Sequence, residues 1–262
     1  MSYPHRIICI TEEGVEWLYK LGQEDKIVGV SAYVERPQQA KTDKKVVSSF
    51  LKANIKAIKK LNPDLILGYS DIQKDIARDL IGEGLNVWIS NHRSLDEVLD
   101  YLLALGSLVG QREKSLEIIS EYRNKLASFK QKAQALGHRP KIYIEEWDEP
   151  MISGIHYFSE LVEACGGENI FRDREKGFLA KDRFVDNQEV IERNPDAIFA
   201  CWCGKSVDMN SFSHRPGWGK INAVKNDLIF ELDPAIFLQP GPALFEVGLD
   251  KAYEYLTKIS QR

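Results

Sequence analysis

The chain has 262 residues, of which 44% are hydrophobic, enough to fill the core of one large domain or of two ordinary lobes. Its 35 basic and 39 acidic residues leave a net charge of −4 and no basic stripe of the kind that binds nucleic acid. The longest apolar runs, such as 101–105, fall far short of the ~20 residues that span a bilayer. Ile7, Ile8 and Ile10 predict a first strand over 6–10, with no leader in front of it. Thr11 then stands as N-cap of a helix carrying Val15, Leu18 and Leu21 at helical spacing, and Leu21-Gly22 closes it. A second strand follows at 27–31, then others at 65–69 and 87–90 with helices between them. Such alternation predicts a parallel sheet with helices on its faces.

After His92 the pattern becomes helical. Leu95, Val98, Leu99, Leu102 and Leu103 form one run, and Leu116, Ile119, Tyr122, Leu126, Phe129 and Leu136 another, with breaks expected near Gly106 and Gly110. The second run, over 113–136, would be roughly 36 Å long at 1.5 Å per residue, enough to cross a small lobe. Gly137 to Pro140 ends it, and strands at 141–146, 197–202 and 228–232 announce a second α/β lobe. Three segments follow: an N-terminal α/β lobe over 1–110, an interlobe helix over 111–138 and a C-terminal α/β lobe over 139–262. ANIKAIKKLNPDLIL (53–67) and NQEVIERNPDAIF (187–199) echo each other, each a short helix led through Asn-Pro-Asp into an apolar strand.

Ligands of parallel sheets bind beyond the carboxyl ends of the strands, so the loops there are the first candidates for a site. In the first half these loops offer Thr11-Glu12-Glu13-Gly14, Tyr33, Phe50, Tyr69-Ser70-Asp71 and Asn91-His92-Arg93. In the second they offer residues 145–148, 153–156, Lys181 with Arg183, 201–205, 214–218 and 239–242. Tyr33, Phe50, Tyr69, Trp147, Trp202 and Trp218 would make two aromatic walls suited to a wide, flat, partly apolar ligand, though the same rings could fill lobe cores. Arg93, Lys205 and Arg215 could hydrogen-bond ligand amides or carboxylates.

Catalytic and metal chemistry find less support. There are four cysteines, Cys9, Cys165, Cys201 and Cys203, in a chain too large to need disulfide staples. Cys201 and Cys203 would share one face of a strand, but structural zinc needs four ligands. His92, His156 and His214 follow different elements, with no metal-binding spacing among them. Glu145-Glu146 is no catalytic dyad, because neighbours on a strand point to opposite faces. No nucleophile elbow, phosphate loop or metalloprotease helix is present. The expectation is a protein that is not an enzyme, has no catalytic residue and holds no protein-ligated metal.

The quoted stretches carry a resemblance. VGVSAYVERP (28–37), SSFLKANIKAIKKLNPDLILGYSD (48–71) and SGIHYFSELVEACGGENIF (153–171) resemble segments of the helical-backbone substrate-binding proteins of ABC importers, the superfamily that serves cobalamin, siderophores, haem and metals. The resemblance implies two Rossmann-like lobes joined by one long helix, with a ligand held in the interlobe cleft and little hinge motion. Within it, Tyr33, Phe50 and Tyr69 match positions that face a corrin in the cobalamin-binding members. CWCGK, HRPGW and LQPGPA resemble a subgroup often labelled cobalamin-binding.

The ligand so implied is cobalamin or a related corrinoid, contacted by Tyr33, Phe50, Tyr69, Trp147, Trp202, Lys205, Arg215 and Trp218, with its cobalt already held by the corrin. Haem, a ferric siderophore or another metal chelate would suit the same walls, and a cytosolic enzyme or metal protein using Cys201, Cys203 and His214 is the rival of another class. Lys56 and Gln188 stand where importer-docking members carry acids that engage permease arginines, which argues against that docking unless Glu189 compensates. Four reduced thiols and the missing leader predict a cytoplasmic location, or a periplasmic one if a leader has been removed, and the chain is expected to be a monomer.

Overall fold

The computed structural model describes residues 4–177 and 179–261. Five strands, β1 (Ile7–Cys9), β2 (Ile27–Ser31), β3 (Lys45–Ser48), β4 (Leu65–Tyr69) and β5 (Val87–Ser90), form a wholly parallel sheet in the order 3-2-1-4-5. The central β1 is fully buried, as a strand covered on both faces must be. Alternation sends Ile8 and Ile10 into a core with Ile58 of the helix Ile55–Lys60 and with Ile76 and Leu80 of the helix Lys74–Gly82. On the other face lies the helix Glu13–Lys20, whose Trp17 indole donates to the Leu102 carbonyl at 2.7 Å.

The break expected near Gly106 is absent, because the helix Leu95–Leu108 runs through it. Gly106 is there for close approach: a Cβ at this position would sit 1.8 Å from Ser115 Oγ of the following helix. The chain turns at Gly110, in the left-handed region at φ 79°. The second helix, Arg112–Gln134, has residues in both compact units of the chain. One unit gathers the residues up to His92 with Asp96–Glu121, and the other gathers Arg93–Leu95 with Tyr122 onward.

The second unit has its own sheet. β6 (Lys141–Asp148) pairs antiparallel with β7 (Met151–Ser153) and parallel with the short β8 (Glu168–Asn169), while β9 (Ala197–Ala200) and β10 (Ile229–Glu231) extend it in the order 10-9-6-7. Two local expectations are corrected. Thr11 does not cap its helix: Glu12 is the N-cap residue, with no side-chain cap bond, and the Thr11 hydroxyl donates to the Glu13 carboxyl. Cys201 and Cys203 do not share a strand face, since β9 ends at Ala200 and leaves Cys201 buried and Cys203 exposed.

The Asn-Pro-Asp echo proves to be the same device built twice. Asn54 caps the helix Ile55–Lys60 by accepting from Ala57 N at 3.0 Å, and Asp186 caps the helix Asn187–Arg193 by accepting from Glu189 N at 2.9 Å. Asn62 and Asn194 then take left-handed conformations, φ 46° and 43°, that turn the chain out of each helix. The aspartate beyond the proline clips the entrance of the central strand: Asp64 accepts from Arg6 N at 3.0 Å, and Asp196 from Lys141 N at 2.9 Å. Asp196→Ala removes that bond and a second from Asn222 at 3.3 Å. The expected cost is about 1–3 kcal/mol, read as a lower midpoint in urea.

Candidate functional site

In a 3-2-1-4-5 sheet the strand order reverses between β1 and β4, and the loops beyond their carboxyl ends are where sheets of this order ordinarily receive ligands. Gln73, fully buried, ties three of these loops together. Its amide nitrogen donates to the carbonyls of Ile10 at 2.9 Å and Phe50 at 3.1 Å, while its oxygen accepts from Tyr69 N at 3.0 Å. Beside it Ser70 holds φ at 63°, a strained value for a residue with a side chain. The strain is held by bonds from Ser70 N to Ser90 O at 2.8 Å and from Asp71 N to Asn91 Oδ1 at 2.9 Å.

The sequence-predicted aromatics of this unit divide. Tyr33 stands out from the loop after β2, 48% exposed, its amide bonded to Ser31 Oγ at 3.1 Å, and Phe50 is half-buried. Tyr69 is turned inward, with its hydroxyl donating to the His92 carbonyl at 3.2 Å and its ring against the His92 ring. His92 is stacked on Tyr101 and bonded to Ser90 Oγ at 2.8 Å, so it packs within the unit. Leu51 and Ile72, 60% and 47% exposed, add apolar surface on the same loops. Sequence reasoning missed both, because an aliphatic residue beside a strand end ordinarily reads as core.

Glu12 and Glu13 lie where β1 gives way to its helix, and both are buried. Burial pushes the Glu12 carboxyl up to about 7, against hydrogen bonds including one from Ser31, and the Glu35 charge raises it further. Burial pushes Glu13 up to about 8, opposed by the Thr11 hydroxyl and reinforced by the neighbouring Glu12. Burial pushes the Cys9 thiol and the Tyr101 hydroxyl up, and the nearby Glu13 charge adds to both shifts.

In the second unit alternation along β6 separates the two adjacent acids, and each receives an arginine. Glu146, on one face, takes Arg183 Nη1 at 2.8 Å and the Ile155 amide at 2.7 Å. Glu145, on the other and fully buried, accepts from both terminal nitrogens of Arg215, one at 2.9 Å, and from Trp202 Nε1 at 3.1 Å. Burial raises the Glu145 carboxyl while the Arg215 and Trp202 bonds act against it. The Arg215 guanidinium lies over the rings of Phe212 and Trp218, 4.6 and 4.4 Å from their centroids.

The structure therefore places Trp202 and Trp218, with Tyr143 and Phe212, in the buried core of this unit, the Trp218 indole bonded to Asn187 Oδ1 at 3.0 Å. Trp147 is half-buried at its edge. Lys205 sits over Trp147 and Trp202, 4.3 and 4.7 Å from their ring centroids, and donates to Asp148 Oδ1 at 2.6 Å. Phe184 and Met209 are exposed on neighbouring loops, a second pair of apolar groups that the sequence did not single out.

Among the described residues no three His, Cys, Asp or Glu side chains gather so as to hold a metal ion. Burial drives the Cys201 thiol well above its usual range, and His214 is exposed with Nδ1 at 2.8 Å from Asn210 O. Lys56 and Gln188 are exposed in the first turns of their helices. Glu189 is committed elsewhere: it pairs with Arg174 and reaches back to Asp186 N at 3.1 Å. No described helix is long and apolar enough to cross a membrane.

Comparison with known proteins agrees with this architecture. Residues 7–236 match the periplasmic binding protein family. A vitamin B12-binding protein of Vibrio cholerae is 28% identical over 262 residues, 98% of this chain and 90% of that one. A possible iron-binding, periplasmic solute-binding protein of Staphylococcus epidermidis superposes with a TM-score of 0.79 at 27% identity, covering 97% of this chain and 99% of the other. The crystal structure of the periplasmic vitamin B12-binding protein of Vibrio cholerae gives a TM-score of 0.77 at 24% identity over 99% and 98% of the two chains. With two α/β units, a helix of both and carboxyl-end loops dressed in aromatic side chains, the chain belongs to the periplasmic binding protein family, as a solute-binding protein of the ABC-transporter type.

Proposed function

We propose that the protein binds cobalamin or a related corrinoid and releases it unchanged, without bond chemistry. The observation that carries this reading is the exposure of apolar and aromatic groups on the carboxyl-end loops of both sheets: Tyr33, Leu51 and Ile72 in one unit, Phe184 and Met209 in the other. A flat macrocycle with an apolar body and polar rim removes such groups from water, at about 25 cal/mol per Å². The 28% identity to a vitamin B12-binding protein supports the corrinoid among flat ligands. In this reading Tyr33, Phe50, Trp147 and Lys205 touch the ligand, while Tyr69, Trp202, Arg215 and Trp218 back them from within their units.

The test is a titration of the purified protein with cyanocobalamin, dicyanocobinamide, haemin and a ferric hydroxamate, followed by visible absorbance and calorimetry. Saturable binding of a corrinoid is expected, weakened about tenfold or more by Tyr33→Ala. Binding of haemin or the hydroxamate alone replaces the corrinoid with that ligand. Lys56 would be repelled by a basic permease socket and Gln188 would add no attraction, so we infer that the protein does not dock to a permease through those positions. We also place its action in the cytoplasm, a reading that four free thiols support and that recovery of untagged protein from the periplasm would overturn.

A further inference from the structure

Lys205 and Asp148 form a pair whose placement is built from beneath. The fully buried Glu145 fixes the Trp202 indole at 3.1 Å; Trp202 and Trp147 supply ring faces 4.7 and 4.3 Å from the Lys205 ammonium; and Asp148 receives that ammonium at 2.6 Å. The two side chains remain 41% and 25% exposed, so the pair reaches the loop surface. An ammonium carries three donors and a carboxylate several acceptor sites, so one mutual bond leaves a donor and an acceptor side by side. That is the complement of a primary carboxamide, which offers a carbonyl and an amino group at a similar spacing. A carboxylate in the same place would meet Lys205 with its charge already matched and would face the Asp148 charge as well. A lone lysine would favour the acid, and the aspartate beside it reverses the preference by adding a repulsive element.

We propose that the Lys205–Asp148 pair reads carboxamide groups on the rim of the bound corrinoid, and that Asp148 excludes macrocycles carrying carboxylates there. The proposal rests on the corrinoid reading and deepens it, since it names the side-chain chemistry that the site accepts. Trp202 and Glu145 enter as positioning residues, and Lys205 and Asp148 as the groups that touch the ligand.

The experiment compares two corrins that share one macrocycle, dicyanocobyrinic acid heptaamide with amides throughout and dicyanocobyrinic acid with carboxyls throughout, by calorimetry on the wild type and on Asp148→Asn. The wild type is expected to prefer the amide ligand. Asp148→Asn, which keeps the shape and removes the charge, should strengthen binding of the acid about tenfold and change binding of the amide less than threefold. Lys205→Met should weaken the amide ligand and keep the thermal midpoint of the wild type, a check that lost binding is not lost folding. Corrin binding with the same amide-to-acid ratio in wild type and Asp148→Asn overturns the role of the pair and leaves the corrinoid reading standing. Failure of both corrins to bind the wild type overturns both.

Discussion

Glu145→Ala is expected to destabilise the second unit by about 3–5 kcal/mol, the cost of leaving a guanidinium buried without its carboxylate. Glu145 is fully buried and the Arg215 side chain only 13% exposed, so water cannot replace the lost partner. Trp202 loses its indole acceptor in the same step, and an unsatisfied buried N–H adds to the loss. Urea unfolding followed by tryptophan fluorescence reads the change as a lower midpoint with an unchanged slope. The double variant Glu145→Leu with Arg215→Met should recover the part of the stability lost through the unpaired guanidinium, because apolar groups of similar volume need no partner, while the Trp202 N–H stays unsatisfied. If the double variant is as unstable as Glu145→Ala, packing of the carboxylate rather than its charge holds this core together.

The second large effect is in the first unit and has the opposite sign. A glutamate ionises near 4.5 in the unfolded chain, whereas burial holds Glu12 up to about 7 and Glu13 up to about 8 in the folded one. Between those values the folded chain binds more protons than the unfolded one, so stability falls as pH rises. The contribution is complete below about 4.5 and is lost as pH climbs through 7 to 8. At about 1.4 kcal/mol per pKa unit the two groups together account for several kcal/mol. The variant carrying Glu12→Gln and Glu13→Gln should therefore be more stable than the wild type by several kcal/mol at pH 9 and nearly equal to it at pH 4.5. Comparing the two proteins at each pH removes the titration of every other group. A difference that is the same at both pH values would show that the carboxyls ionise normally in the fold.

The inner parallel strands β1, β2, β4 and β9 were legible because they are buried on both faces and read as near-continuous apolar runs, and the paired Asn-Pro-Asp signals marked where two of them begin. β3 escaped notice because it is an edge strand whose first residues, Lys45 and Val46, are exposed, and β7 because three residues carry no period. The ends of helices depended on contacts that sequence does not display: Gly106 reads as a breaker until Ser115 is seen against it. At the candidate site, residue type was legible and direction was not. Trp202 and Trp218, flanked by glycine, proline and charge, resemble surface rings, yet each indole nitrogen finds a partner from a distant segment, Glu145 and Asn187, that lets the ring be buried. Leu51 and Ile72 show the converse, aliphatic groups with ordinary neighbours in sequence that the fold leaves in water.

Gln73 has a thermodynamic consequence. One amide fastens the loop after β1, the loop after β3 and the end of β4, so a ligand meeting Phe50 and Ile72 encounters segments that have already lost their freedom. Little chain entropy then remains to oppose association, and complexes formed on surfaces of this kind gain their lifetime through slow dissociation rather than fast capture. A shorter residence time and a larger entropic penalty in Gln73→Ala, at an association rate close to that of the wild type, would be the signature of that fastening.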